Sequence, residues 1–415
     1  MAQKEATLSS FLQRFVWMLS GNLGYAISQW LLLSVIAKLG NSQDVGTFSI
    51  ALGVTAPIYM FTNMQLRYIY SADFSGRKFS DYLSSRIIQT GVAFFAVVII
   101  ALLLFSDRRY LAFAIIIIGL SKAFESINDI IYGYYQHKRR NDLVSKSLLV
   151  RGWISLFIFF LAFLTTKSLN TSLIVYTSSW AVCLLAEYFS FLSVQKESNE
   201  RFVFLFKREN IIELLKLALP LGVFSGINSL NTTLPRYYIE ASFGLSLVGI
   251  FSAISYLKIA SGYVVDACSN VLLPEFGQLF KERAMDKFFK LLNHIVLAFL
   301  CLSFFIILLV IVMGEKILTL IYTAEYAMYV DFFVLITISI LLSYLNRIYN
   351  MVLTALKFFN FQLTLGLIEL VSLNLFLLIF IHKGFIYSAF ALIFAESMRL
   401  LVSFWHLRKI KTDLK

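Results

Sequence analysis

Charge and proline are what this sequence has least of. Charged residues make up 14% of its 415 positions, and only four prolines, three cysteines and four histidines occur. A soluble domain carries roughly 25% charged residues, so a soluble enzyme or binding module is excluded. Cys183, Cys268 and Cys301 stand apart in apolar runs, with no CxxC pair and no histidine at ligand spacing. That excludes a legible disulfide framework or metal site and reads the three as small buried hydrophobes. His137, His294, His382 and His406 are scattered. There is no HExxH, no GxSxG and no phosphate-loop lysine motif, so the sequence presents no enzyme constellation and calls for no cofactor. Without an ATP site, any transport must be facilitated, ion-coupled or driven by a partner.

What is abundant is apolar surface: 59% of residues are hydrophobic, 41 are phenylalanine, and the mean hydropathy is +0.78. Apolar runs of about 18 residues or more recur, each long enough to cross the hydrocarbon core. Backbone groups in lipid must pair internally, and the runs lack period-two alternation, so they are helices. The reading is an all-α polytopic membrane protein with twelve spans, near 15–38, 45–65, 86–105, 110–134, 147–166, 170–194, 217–241, 246–270, 292–313, 328–350, 361–381 and 385–406. The polar lead "MAQKEATLSSFLQRF" opens a first helix too long for a signal-peptide core. Lys and Arg collect in the even-numbered connections, "RKFSDYLSSR", "HKRRNDLVSK", "KESNERFVFLFKREN" and "KERAMDKFFK", and in the tail "HLRKIKTDLK". By the positive-inside bias both termini are cytoplasmic. The net charge of +12 then reflects topology and attraction to anionic lipid, not nucleic acid. Residues 274–293, "PEFGQLFKERAMDKFFKLLN", alternate charge with Leu279, Phe280, Phe288 and Leu292 at helical spacing, predicting a surface amphipathic helix.

One short motif, V-G-x-F-S, is written twice in nearly the same words. "VGTFSIA" occupies Val45–Ala51 and "VGIFSAI" occupies Val248–Ile254. Each copy follows a tight loop and opens the second helix of a half. Gly40 and Gly244, and Gly46 and Gly249, lie 204 and 203 residues apart, close to half the chain. Six spans per half insert both halves the same way up, giving parallel repeats with an axis along the membrane normal. The expected domains are an N-terminal six-helix lobe at 1–195, a charged linker at 196–216 and a C-terminal six-helix lobe at 217–415. Transporter sites of this kind lie between such lobes.

Charges inside spans mark function unless they snorkel or pair. Asn228, Thr232, Arg236 and Glu240 recur every four residues on one face of span seven, and Pro220 and Pro235 interrupt its backbone bonds. This reads as a broken polar face lining a cavity, or as an Arg236–Glu240 pair at the helix end. Lys258 lies mid-span in span eight, with Gly262 and Asp266 on its face, and reads as a cavity cation. Lys122, Glu125 and Asp129 form a stripe on span four. A Lys122–Glu125 pair is sterically allowed. Glu125 and Asp129 are like charges one turn apart, an arrangement that suits proton or sodium coupling or, equally, a structural polar network. Arg67 and Arg151 lie near cytoplasmic ends, where snorkelling is the simpler reading. Glu187, Asp331, Glu369, Glu396 and Arg399 are scattered, and Glu396 and Arg399 are three apart and read as a pair.

These residues carry a resemblance. "GNLGYAISQW", "AKLG" and "VGTFSIALGVTAPIYMFTNMQLRY" in the first half, and "LPR" at Leu234–Arg236 with "VGIFS" in the second, resemble the O-antigen flippases (Wzx) of the MATE-like MOP exporter superfamily. Asn22, Tyr25, Gln29, Trp30, Ala37, Gly40, Val45, Gly46, Phe48, Ala51, Pro57, Leu66 and Arg67 carry the first-half pattern. The resemblance implies a MATE-like two-bundle fold in a bacterial inner membrane. It also implies movement of an undecaprenyl-pyrophosphate-linked oligosaccharide from the cytoplasmic to the periplasmic leaflet by alternating access through a cationic cavity. H+ or Na+ is the implied coupling ion and the polysaccharide polymerase machinery the implied partner. Arg236 enters that cavity through the LPR match; Lys258, Lys122, Arg67 and Arg151 are its further candidate cations. Asn22, Gln29, Asn228 and Thr232 are candidate polar lining, and Glu125, Asp129, Asp266 and Glu240 candidates for ion coupling. A diphosphate in a low-dielectric cavity requires Arg or Lys donors.

Three rival readings stand beside it. "DFSGRK" at Asp73–Lys78 partly matches the loop signature of major-facilitator transporters, with Ile69 and Phe74 in place of its Gly and first basic residue. A MATE-type cation antiporter would use Glu125 and Asp129, while Arg236 and Lys258 count against it. A membrane-embedded polymerase or glycosyltransferase needs long outer loops, or DxD or paired-arginine loops, and every outer connection here is short.

Overall fold

The protein is represented by a computed structural model that describes residues 2–71, 77–197, 208–356 and 358–413. Within them the chain is helical and contains no strand. The helices are α1 (Ala2–Leu39), α2 (Ser42–Asn63), α3 (Leu66–Ser71), α4 (Phe79–Leu104), α5 (Arg109–His137), α6 (Asn141–Thr166) and α7 (Leu169–Glu197). They continue as α8 (Arg208–Phe243), α9 (Leu245–Lys281), α10 (Met285–Ile321), α11 (Ala324–Ala327), α12 (Val330–Ala355), α13 (Phe359–Phe380) and α14 (Tyr387–Asp413). Twelve segments are long and apolar enough to span a bilayer. The most apolar 18-residue window lies within 285–321 and has a mean hydropathy of 3.4, yet only 17% of that window is buried. Phe304, Phe305, Val312 and Leu320 on α10 and Phe95, Leu103 and Leu104 on α4 are exposed. Water does not tolerate so large an apolar surface; lipid does. The chain is a multi-pass membrane protein.

Two compact units form. The first comprises 1–40 and 47–229, the second 41–46 and 230–415. In the first, α1 lies along α6, α5 packs on α3, α4 and α7, and α6 on α7. Close approach of α1 and α6 uses small residues: a side chain at Gly21 would strike Ser145, and one at Gly152 would strike Ser28. Lipid supplies no hydrophobic drive between helices, so such small-residue seams carry the packing. An aromatic cluster of Tyr70, Phe79, Tyr82, Tyr134 and Phe191 fills the same unit near the α3–α4 end. In the second unit α12 is central, touching α9, α10 and α14, while α13 lies on α14.

The repeated heptapeptides open α2 and α9, as the sequence predicts. They also meet. A Cβ on Gly46 would collide with the Leu245 carbonyl, and one on Gly249 with the Ser42 carbonyl. All four residues belong to the second unit, and the contact is reciprocal: each glycine faces a backbone carbonyl at the start of the other helix.

Several local expectations are corrected. No separate amphipathic helix lies at 274–293: the segment continues α9 to Lys281, turns at Glu282–Ala284 and enters α10. Its apolar residues Phe276, Phe288 and Leu292 are buried in the second unit's core, which offers them more contact than a bilayer surface. α8 runs unbroken through Pro220 and Pro235. The break in the first half falls at Met64 and Gln65, whose φ values are +47° and +51°, after α2 and without a proline. Cys268 and Cys301 are exposed and Cys183 half-buried, on outward helix faces instead of in a core. Residues 198–207 of the linker and 72–76 of the major-facilitator-like motif lie outside the described residues.

Candidate functional site

In the first unit the charges of α5 meet arginines from α3 and α4. Asp129 Oδ1 accepts from Arg67 Nη1 at 3.3 Å, and its Oδ2 from Arg86 Nη2 at 3.1 Å. Arg86 is fully buried. Its Nη1 points at Ser126 Oγ, 3.4 Å away, and Ser126 is bonded to Asn63 at 2.5 Å and Thr90 at 3.0 Å. Arg67 Nε donates to Gln136 at 3.0 Å, and its guanidinium lies 5.4 Å from the Tyr132 ring centre. Arg67 is therefore paired and positioned, not snorkelling.

One turn away, Lys122 Nζ and Glu125 form the ion pair their spacing allows, at 2.6 Å, and Tyr25 donates to the same carboxylate at 3.2 Å. Glu125 and Asp129 thus do not share a site; each has its own cations. Arg151 corrects a second snorkelling expectation. It is 2% exposed and sits among three rings, with its guanidinium carbon 4.5 Å from Trp180, 5.1 Å from Tyr25 and 5.6 Å from Tyr132. Its Nε and Nη1 have no hydrogen-bond acceptor. Ring faces carry negative quadrupole density, which stabilises a desolvated guanidinium. Glu187, from α7, accepts from Ser147, which also bonds Tyr132 at 2.7 Å.

Among the described residues, the second unit holds these buried or half-buried ion pairs. Lys258 Nζ meets Glu396 at 3.0 Å, and Asn346 donates to the other oxygen of that carboxylate at 2.6 Å. Arg399 pairs with Glu369 at 2.5 Å and Arg347 with Asp266 at 2.6 Å. Glu396 and Arg399 therefore do not pair with one another: Glu396 turns to α9 and Arg399 to α13. Lys258, expected as a free cavity cation, has a carboxylate of its own. Arg236 differs from all of these. Its Nε donates to Ser252 Oγ at 3.1 Å, and among the described residues no carboxylate pairs with it. Among the described residues, Arg151 in the first unit and Arg236 in the second are intramembrane arginines outside the acid–base pairs.

The remaining polar candidates divide. Gln29 accepts from Tyr176 at 3.3 Å, inside the first unit. Asn22 is exposed and turns its amide back onto the Met18 carbonyl at 2.7 Å. Asn228 and Glu240 are half-buried on α8, and Thr232 is exposed on the same helix. Sequence reasoning missed Arg86 and Arg347. Arg86 ends the polar run "RKFSDYLSSR" and reads as loop by hydropathy, because α4 begins seven residues earlier than the apolar stretch does. Arg347 sits in "SYLNRIYN", whose only signal is a charge within a span.

The arrangement is a set of intramembrane cations, most of them paired with carboxylates, with Arg236 bonded to a hydroxyl. Comparison with known proteins agrees in fold and adds a biological setting. A multidrug-resistance MATE transporter of the MOP superfamily, in its inward-facing conformation, superposes with a TM-score of 0.70 at 12% identity, covering 96% of this chain and 95% of that one. A MOP-superfamily transporter from Pyrococcus furiosus, described as having a binding pocket of reversed polarity, gives 0.66 at 13% identity, over 98% and 96%. Among curated proteins, the capsular polysaccharide biosynthesis protein CapF of Staphylococcus aureus is 27% identical over 404 residues, 96% of this chain and 99% of that protein. A model for polysaccharide biosynthesis proteins matches residues 11–280, more than half of the sequence. On that match the chain, a MATE-like bundle of twelve spans, belongs to the polysaccharide biosynthesis protein family.

Proposed function

We propose that this protein is a transporter that flips a lipid-linked oligosaccharide, carried on undecaprenyl pyrophosphate, from the cytoplasmic to the outer leaflet of a bacterial plasma membrane by alternating access. The observation that carries the reading is Arg236: an intramembrane guanidinium with a hydroxyl neighbour and, among the described residues, no carboxylate paired with it. Holding such a cation in a membrane is costly unless an anion uses it, and a diphosphate is the anion this family's cargo would supply. Lys122 and Arg67 are partly exposed in the first unit, and each would have to exchange its carboxylate partner, Glu125 or Asp129, to meet an anion. The cargo class is surface polysaccharide in general. The capsular relative supports capsule precursors as well as the O-antigen units of the flippase resemblance. Two six-helix lobes, 1–195 and 217–415, are the proposed working parts, with both termini cytoplasmic and the polymerase machinery as partner.

A cation antiporter of the MATE type is the second reading, favoured by the fold. Against it, Glu125, Asp129, Asp266, Glu369 and Glu396 are each neutralised by Lys or Arg, leaving little to hold a drug cation; H+ or Na+ coupling would have to break one of these pairs. The test is complementation. In a strain lacking its own flippase, the gene restores surface polysaccharide, and Arg236→Ala at equal expression does not. Resistance to toxic cations without restored polysaccharide would reject the cargo assignment.

A further inference from the structure

We propose that the Arg67–Asp129–Arg86 cluster is a binding site for a diphosphate group, closed in this structure by Asp129 standing where the anion goes. The inference rests on the diphosphate-linked cargo just described and adds the place at which it is held.

Three observations lead there. The first is stoichiometry. One carboxylate serves two guanidiniums, with one oxygen toward each, at 3.3 and 3.1 Å. The cluster therefore keeps one unbalanced positive charge. The second is an open donor. Arg86 is fully buried, yet its Nε has no acceptor. An unmet donor on a buried charge is costly, so a cluster built for stability alone would carry a second acid. A diphosphate supplies two or more negative charges and enough oxygens to take both guanidinium forks. The third is access. Side-chain exposure falls from 30% at Asp129 through 13% at Arg67 to 0% at Arg86. Asp129 is the outer member and Arg86 the floor, so an anion arriving from outside meets Asp129 first.

The arginines are also held independently of Asp129. Gln136 fixes Arg67 Nε, and the Tyr68 and Tyr132 rings flank its guanidinium at 5.8 and 5.4 Å. The Asn63–Ser126–Thr90 network backs Arg86. Asp129 can swing away and leave a pre-formed two-arginine fork. Arg67 rides on α3, just past the break at Met64 and Gln65, at the end of the span that the charge bias assigns to the cytoplasm. That is the leaflet from which the cargo would be loaded.

The experiment uses the full chain in phosphatidylcholine nanodiscs, titrated with inorganic pyrophosphate and followed by affinity and melting temperature. Asp129→Asn removes the competing charge and is expected to bind pyrophosphate about tenfold more tightly than the parent, the size of one charge-assisted bond, with a larger melting shift on binding. Arg67→Gln leaves Arg86 and Asp129 as a simple pair, so it should melt like the parent while losing pyrophosphate affinity by about tenfold or more. Arg67→Lys, which keeps charge but not the fork, should fall between. The proposal is overturned if Asp129→Asn binds no more tightly than the parent, or if Arg67→Gln binds undiminished. Should Asp129→Asn fail to fold, the two Arg67 variants decide. Replacing part of the phosphatidylcholine with phosphatidylglycerol separates the sources of phosphate. Unchanged pyrophosphate binding is expected, and competition by the single-phosphate headgroup at this cluster would overturn the assignment. Failed complementation with pyrophosphate binding sharpened in Asp129→Asn would sink the transport reading and spare the site. Successful complementation with no such sharpening would do the reverse.

Discussion

Arg151 is a cation wrapped in three aromatic rings, with no acid bonded to it and two of its nitrogens unmet. A planar guanidinium can stack on rings; an ammonium cannot do so in the same way. Arg151→Lys is therefore expected to lower stability by about 2 kcal/mol, the scale of a desolvated cation–ring contact, seen as a lower melting temperature of the purified protein at unchanged helicity. Melting like the parent would mean that the cage is incidental. Lys258 and Glu396 make the complementary case. Removing one partner of a buried pair leaves an uncompensated charge, at about 3–5 kcal/mol. Glu396→Gln alone should melt well below the parent, and Lys258→Met with Glu396→Met should recover most of the loss. If the double variant also transports, Lys258 is a structural partner and not a cargo contact. At this scale the sequence was half legible. A charge in an apolar run declares itself, so Lys122, Arg236 and Lys258 were visible. Their partners were not, because the pairing of Lys258 with Glu396, or of Arg399 with Glu369, depends on helices more than a hundred or tens of residues apart. The i,i+3 rule found Lys122–Glu125 and wrongly joined Glu396 to Arg399, since a helical neighbour is only one of several acids within reach.

Helix α2 and helix α9 touch backbone to backbone at Gly46 and Gly249. Any side chain there pushes the helices apart, and the reciprocal carbonyls offer nothing flexible to yield. Gly46→Val and Gly249→Val should each abolish complementation and reduce folded yield, to similar extents because the two sites are repeat counterparts. Gly91→Ala is the control. A Cβ there meets nothing within 4 Å, and alanine stabilises a helix interior over glycine by about 0.8–1 kcal/mol, so that variant should express as well as the parent. Tolerance of Gly46→Val would show that the crossing is not a fixed contact. The repeat was readable in the sequence, because a duplicated V-G-x-F-S at matching places needs no tertiary knowledge. The reason for its glycines was not, because only the fold brings the copies together. Prolines misled in the other direction. Pro220 and Pro235 leave α8 continuous, as helices in a packed bundle can absorb a lost backbone bond. The actual interruption, at Met64 and Gln65, has no residue signature at all. Segment 274–293 misled by composition: a pattern of alternating charge and Phe suits a membrane surface or a core edge equally, and Phe276 and Phe288 chose the core.

For the molecule as a whole, hydropathy alone sufficed for twelve spans, since the bilayer forces each to pair its own backbone bonds and to be apolar along its length. Orientation is a separate inference that rests on where lysines and arginines gather, and it decides which end of the Arg67 cluster meets the cytoplasm. It can be checked directly. With Cys183, Cys268 and Cys301 replaced by serine, single cysteines are introduced at Asp107 and Ser168, in odd-numbered connections, and at Arg139 and Glu282, in even-numbered ones. A maleimide that cannot cross the plasma membrane should label the first two in intact cells and the second two only after the membrane is opened. The basic connection Lys138–Arg140 favours this outcome, because Lys and Arg close to span ends hold a short connection on the cytoplasmic side, and two of its three cations remain in the Arg139 variant, whereas the 107 and 168 connections carry fewer. The opposite labelling would place Arg67 and Asp129 at the outer leaflet. A diphosphate cargo loaded from the cytoplasm could not then enter through them, and the cluster would have to serve release instead of capture.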